Sequence, residues 1–111
     1  HACQGDGEVC GVAVEYPTVT TITIDLIKDW TIEWPRLEAN DFIMGIGSTR
    51  PLEDATRIAY RELIYWMEKD YGFDKWDAYM LLSQCGKVRL GNFVGPKYTV
   101  GAAIPKKYLI Q

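Results

Sequence analysis

The residue types best suited to chemistry crowd into the first fifteen positions, "HACQGDGEVCGVAVE". The stretch holds His1, the one histidine of the chain, together with Cys3, Asp6, Glu8, Cys10 and Glu15. An imidazole and carboxylates form a donor set for a divalent cation, and such an ion lowers the pKa of bound water to about 7 while polarising a carbonyl. A carboxylate then moves the proton. His1 is the candidate ligand through its ring. Asp6 and Glu8 lie two apart, on one face of an extended segment, so either serves as second ligand or as acid/base. Gly5 and Gly7 let backbone N–H groups come close to a bound carbonyl oxygen.

Each of these residues also has a plainer reading. Asp6 between two glycines is a turn former that bonds its own backbone. Glu8 precedes an apolar run and suits a solvated strand end. Glu15 either orients the site from behind or is an ordinary strand-end charge. Cys3 offers a thiol as ligand or nucleophile, but a reactive thiolate needs a neighbouring base or cation, and the surroundings are acidic. Cys10 and Cys85 stand among apolar residues and read as packed, inert thiols.

The elements that position this stretch follow from pattern. "VCGVAVEY" reads as a short strand ended by Pro17, and residues 18–27, "TVTTITIDLI", alternate with period 2 as a half-buried strand. Ile22, Ile24 and Leu26 fall on one side of it. "DWTIEWPRLEAN" reads as a loop or edge segment, because Pro35 cannot donate to a ladder. "DFIMGIGS" is a further strand. Residues 49–70 carry Leu52, Ala55, Ala59, Leu63, Trp66 and Met67 at helical spacing, with Pro51 at the first turn, Glu53 and Asp54 at the positive end of the dipole and Gly72 as the stop. A second helix is expected from Asp74 to about Gln84, ended by Gly86 and apolar on nearly every side, hence deeply buried. Strands near "KVRLGNFV" and "YTVGAAIP" complete the chain. Strands, two consecutive helices packed on the sheet, then strands again give an α+β class with mixed or antiparallel pairing.

At 111 residues the chain suits one domain with a modest core. Its 48% apolar and 24% charged residues are those of an ordinary globular protein. A net charge of -3, spread along the chain, gives no basic footprint for nucleic acid. No apolar run approaches the roughly 20 residues that span a bilayer. Three irregularly placed cysteines make a poor disulfide framework and point to a reducing, cytoplasmic setting. Four tryptophans and seven tyrosines are more rings than so short a chain readily buries, so packing against something larger is expected.

Taken together, "HACQGDGEVCGVAVE", "MGIGSTRPLEDATRIAYRELIYWM" and "WDAYMLLSQCGKVRLGNFVGPKYTVGAAIPKKYL" resemble the acetamidase/formamidase family, in order and across most of the chain. Lys87 and Gly95 depart from the family pattern, where an acidic residue and an aspartate or asparagine are usual. The family is longer, and the histidine of its G-D-x-H-A motif corresponds to His1. The resemblance therefore implies residues 1–111 as the C-terminal portion of a larger β-rich amidase. It implies a metal-dependent hydrolase of small linear amides, formamide or acetamide. On that reading His1 is a ligand, Asp6 a ligand or support, Glu8 the acid/base, and Gly5, Gly7 and Glu15 contact substrate or back the site. The ion is divalent, with zinc ahead of the others. The remaining part of the enzyme and further subunits of a homo-oligomer complete it. The competing expectations are a non-catalytic structural piece of a larger assembly and a small metal-binding module.

Overall fold

Alternation along β2 (Phe42–Thr49) places Ile43, Gly45 and Gly47 on a buried face and leaves their neighbours half-buried. The two glycines let a helix come down directly on the strand. A Cβ on Gly45 would stand 2.6 Å from the Ala59 carbonyl oxygen, and one on Gly47 would collide with that of Ala55. Ala55 and Ala59 are themselves small, so backbone meets backbone where α1 (Leu52–Tyr71) crosses β2.

The computed structural model describes residues 1–110. Its order is β1 (Arg36–Glu38), β2, α1, α2 (Lys75–Cys85), β3 (Lys87–Asn92) and β4 (Tyr98–Pro105), followed by a 3-10 turn at Lys106–Tyr108. The strands form one antiparallel sheet in the order β1-β2-β4-β3. Both helices lie on it, which is the α+β architecture expected. Ile43 and Ile104 pair across β2 and β4. With Val100 and Ala102 they meet Leu63, Trp66 and Met67 of α1 in the core.

Helix boundaries follow the local chemistry. Pro51 is the N-cap of α1, one position outside the first turn, and the helix ends at Gly72, whose N–H bonds the Met67 carbonyl. Asp74 caps α2 by accepting from the N–H groups of Trp76 and Asp77. The expectation of a deeply buried α2 is corrected: only Ala78 and Leu82 are buried, while Trp76 is 63% and Tyr79 58% exposed. A short helix laid on one neighbouring layer buries one stripe, however apolar its other sides.

Two strand expectations are also corrected. Neither residues 9–16 nor residues 18–27 form a ladder strand; Cys3 and Val14 make one isolated antiparallel bridge. Val19 is 98% and Ile24 85% exposed. A period-2 pattern encodes a strand's two faces but supplies no partner, and no other strand among the described residues lies alongside.

The edge strand β1 is tied to α1 by an ion pair invisible in the sequence. Arg36 Nε donates to Glu62 Oε1 at 2.7 Å, with the side chains only 6% and 3% exposed. The guanidinium also lies over the rings of Trp30 and Trp66, 5.4 and 5.2 Å from their centroids.

Candidate active site

Residues 5–11 form a tight turn. The Gly5 carbonyl accepts from the Glu8 N–H at 3.3 Å, and the Glu8 carbonyl from the Gly11 N–H at 2.8 Å. Glu8 itself has φ 42°, a left-handed conformation that costs a non-glycine residue about 1 kcal/mol or more. Such strain persists only where surrounding contacts fix it. Here they are on β3 and the residue that follows it: the Gly7 N–H donates to the Leu90 carbonyl at 2.9 Å, and the Phe93 N–H donates to the Gly7 carbonyl at 3.1 Å. At Gly7, φ is 90° and a Cβ would collide with the Phe93 ring, so only glycine fits.

Side chains reinforce this docking. Asp6 Oδ1 accepts from Arg89 Nη2 at 2.9 Å and from its Nε at 3.1 Å, and Gln4 Nε2 donates to the Gly91 carbonyl at 3.0 Å. On the other side of the segment, the Ala2 N–H bonds the Val14 carbonyl and the Val14 N–H bonds the Cys3 carbonyl. That bridge folds residues 1–15 back on themselves and sets Glu15 beside His1. Glu15 Oε1 lies 3.1 Å from His1 Nε2, and Gln4 Oε1 lies 2.6 Å from His1 Nδ1.

The sequence-identified residues thus fall into two groups. His1 meets Glu15, with Gln4 between the imidazole and β3. Asp6 faces Arg89, and Glu8 is half-buried in the turn. The N–H groups of Gly7, Glu8 and Gly11 are committed to Leu90, Gly5 and Glu8, while those of Gly5, Asp6, Val9 and Cys10 have no hydrogen-bond acceptor among the described residues. Gln4, Arg89 and Phe93 were not singled out by sequence reasoning, and only their distant partners reveal them. Cys3 and Cys10 are free and exposed, which corrects the expectation of a packed Cys10. Cys85 is free and partly buried, and burial pushes its thiol pKa up, against the pull of Lys107 and Lys87.

No three His, Cys, Asp or Glu side chains among the described residues converge on one point. The nitrogen and oxygen of His1 and Glu15 nevertheless fit a zinc-type ion as two donors. An ion held there takes its other ligands from outside this set. None of these residues lines the groove of about 800 Å³ between α1 and α2, whose walls include Arg61, Ile64, Tyr79 and Met80. Among the described residues no helix is long and apolar enough to cross a membrane.

Comparison with known proteins identifies the family. The model of the acetamidase/formamidase family matches residues 1–109. The 2.75 Å crystal structure of an acetamidase from Yersinia enterocolitica is 69% identical over all of this chain, with a TM-score of 0.97. An acetamidase from Bacillus halodurans is 23% identical over 69% of the chain, TM-score 0.63, the match covering 26% of that protein. A predicted acetamidase/formamidase from Thermoanaerobacter tengcongensis is 22% identical over 75%, TM-score 0.68, covering 28% of that protein. The last two show likeness of fold alone. No curated protein matches. The chain spans 34% of the length of the Yersinia protein. On the family match over nearly its whole length, the chain belongs to the acetamidase/formamidase family.

Proposed function

We propose that this chain forms one side of the active site of an enzyme that hydrolyses a small linear amide, formamide or acetamide, to carboxylate and ammonia. The observation that carries the reading is the His1–Glu15 contact beside the acidic turn, in a chain of this family. The Yersinia protein is an acetamidase, and 69% identity supports extending that activity class here.

In this reading His1 is a ligand to a divalent ion, zinc first. Asp6, held through Oδ1 by Arg89, supports the site from beside it. When bound, the ion polarises the amide carbonyl and brings the pKa of water toward about 7. Glu8 takes the proton from the attacking water and returns it to the departing nitrogen, as a carboxylate poised at a strained turn can do. The Gly5 N–H, one of the turn's uncommitted amides, is the donor assigned to the oxygen of the tetrahedral species, while that of Gly7 is committed. Glu15 stands against the imidazole, on its Nε2 side.

The exposed, alternating residues 18–27 and the exposed aromatic face of α2 support packing against the rest of the enzyme and further copies in a homo-oligomer. Free thiols suit a cytoplasmic setting. The test is ammonia release from formamide and acetamide by the complete assembled protein, before and after chelation. Turnover that a chelator abolishes and Glu8→Gln lowers about 10²–10⁴-fold is expected. Absence of turnover by the metal-loaded assembly overturns the amidase reading, and full activity of Glu8→Gln removes Glu8 from the proton path.

A further inference from the structure

Gln4 sits between two groups whose chemistry is not interchangeable. The Gly91 carbonyl oxygen only accepts, so the Gln4 atom 3.0 Å from it must be the amide nitrogen. The amide oxygen is then turned toward His1, 2.6 Å from Nδ1. An amide oxygen also only accepts, so Nδ1 must carry the hydrogen. In a neutral imidazole the other nitrogen is then a bare lone pair. That lone pair faces Glu15 Oε1 at 3.1 Å, a second acceptor. Two acceptors at this distance require a cation to join them.

We propose that Gln4 is a positioning residue that locks His1 in the Nδ1–H tautomer, so that Nε2 and the Glu15 carboxylate together present two donors to a divalent cation. The inference rests on the metal-dependent amidase reading and specifies its ligand nitrogen. Glu15 becomes a donor to the ion rather than a carboxylate behind the ring. Coordinating histidines commonly donate their second N–H to a fixed carbonyl or carboxylate, and the Gln4 amide oxygen fills that place. The Gly91 carbonyl at the end of β3 holds the amide in its one workable orientation. The tautomer at the chain's one histidine is thereby set by a strand more than eighty positions away.

A bare proton would also satisfy the geometry, as an imidazolium paired with Glu15, and the experiment separates the two. The complete protein is loaded with Zn²⁺ and its crystal structure read by anomalous scattering at the zinc edge. The expected result is zinc bonded to His1 Nε2 and Glu15, with Nδ1 still on Gln4. Competition with a chromogenic chelator then compares wild type with Gln4→Met, which keeps length but removes both polar atoms. The variant is expected to bind Zn²⁺ about 10–100-fold more weakly. Zinc on Nδ1, no zinc at His1, or a Gln4→Met affinity within about twofold of wild type each overturns the proposal. Ammonia release measured on the same preparation keeps the two readings apart. Zinc placed as stated without turnover overturns the amidase reading alone, and turnover without zinc on Nε2 overturns this one alone.

Discussion

Residues 1–35 and residues 36–109 are held by different forces. The later stretch is fixed by burial: Ile43, Leu63, Met67, Val100 and Ile104 are fully enclosed, and the helix rests on glycines that admit nothing larger. The earlier stretch contributes no residue to that core. It is held by a few hydrogen bonds and one exposed ion pair along β3, by the Ile46 N–H bond to the Pro35 carbonyl, and by Trp30 over Arg36. The body thus determines its own shape, while the site-bearing segment borrows its shape from the end of a strand. Changes in the body should therefore be read in stability, and changes in the segment in local order and chemistry.

The largest expected effect is at Glu62. Removing it by Glu62→Ala leaves the Arg36 charge enclosed between two indole rings with its main partner gone. Breaking one side of a buried pair costs about 3–5 kcal/mol. Urea denaturation should show the unfolding free energy lowered by that amount. A loss below about 1 kcal/mol would mean that Arg36 escapes to solvent by rotating out through β1, and the body's edge would then be as loosely held as the segment.

Next in size is a matched pair of glycine substitutions. Gly47→Ala drives a methyl into the Ala55 carbonyl and to 2.9 Å from the Ala59 nitrogen, both helix backbone that cannot rotate aside. Overpacking of this kind costs about 1–3 kcal/mol, and the rigid neighbours place it at the upper end. Gly5→Ala meets nothing within 4 Å and should change the unfolding free energy, measured in urea as for Gly47→Ala, by less than about 0.5 kcal/mol. Equal losses at both positions would erase the distinction between the two regions.

The same contrast governs what the sequence reveals. Both helices are legible to within three residues because their signals are local: the Asp74 cap, the Gly72 stop and the apolar stripe from Leu52 to Met67. The strands that pair with each other, Phe42–Thr49 and Tyr98–Pro105, are legible for the same reason. Residues 18–27 carry an equally clean pattern, yet a strand exists only with a neighbour, and pattern does not report one. The apolar surplus of α2 counted residues rather than covered faces. At the site, His1 and Glu15 were each recognisable by type, but their meeting depends on the Ala2–Val14 bridge, and Asp6 finds Arg89 across 83 positions. Gln4 carried no signal, because its role comes entirely from what lies on either side of it.

The smallest expected effect is Arg89→Ala, and it tests how the segment is attached. Arg89 and Asp6 side chains are 66% and 49% exposed, so the pair is screened by water and salt. Its loss should cost less than about 1 kcal/mol, with the difference from wild type shrinking as salt is raised. The Gly7 hydrogen bonds to Leu90 and Phe93 remain, so amide exchange at Gly7 should quicken only modestly. A global loss above about 2 kcal/mol would instead show that docking on β3 and folding of the sheet are one cooperative event. In that case residues 1–15 belong to the body energetically, although they lie outside its core, and the strain at Glu8 is held by the whole fold rather than by two hydrogen bonds.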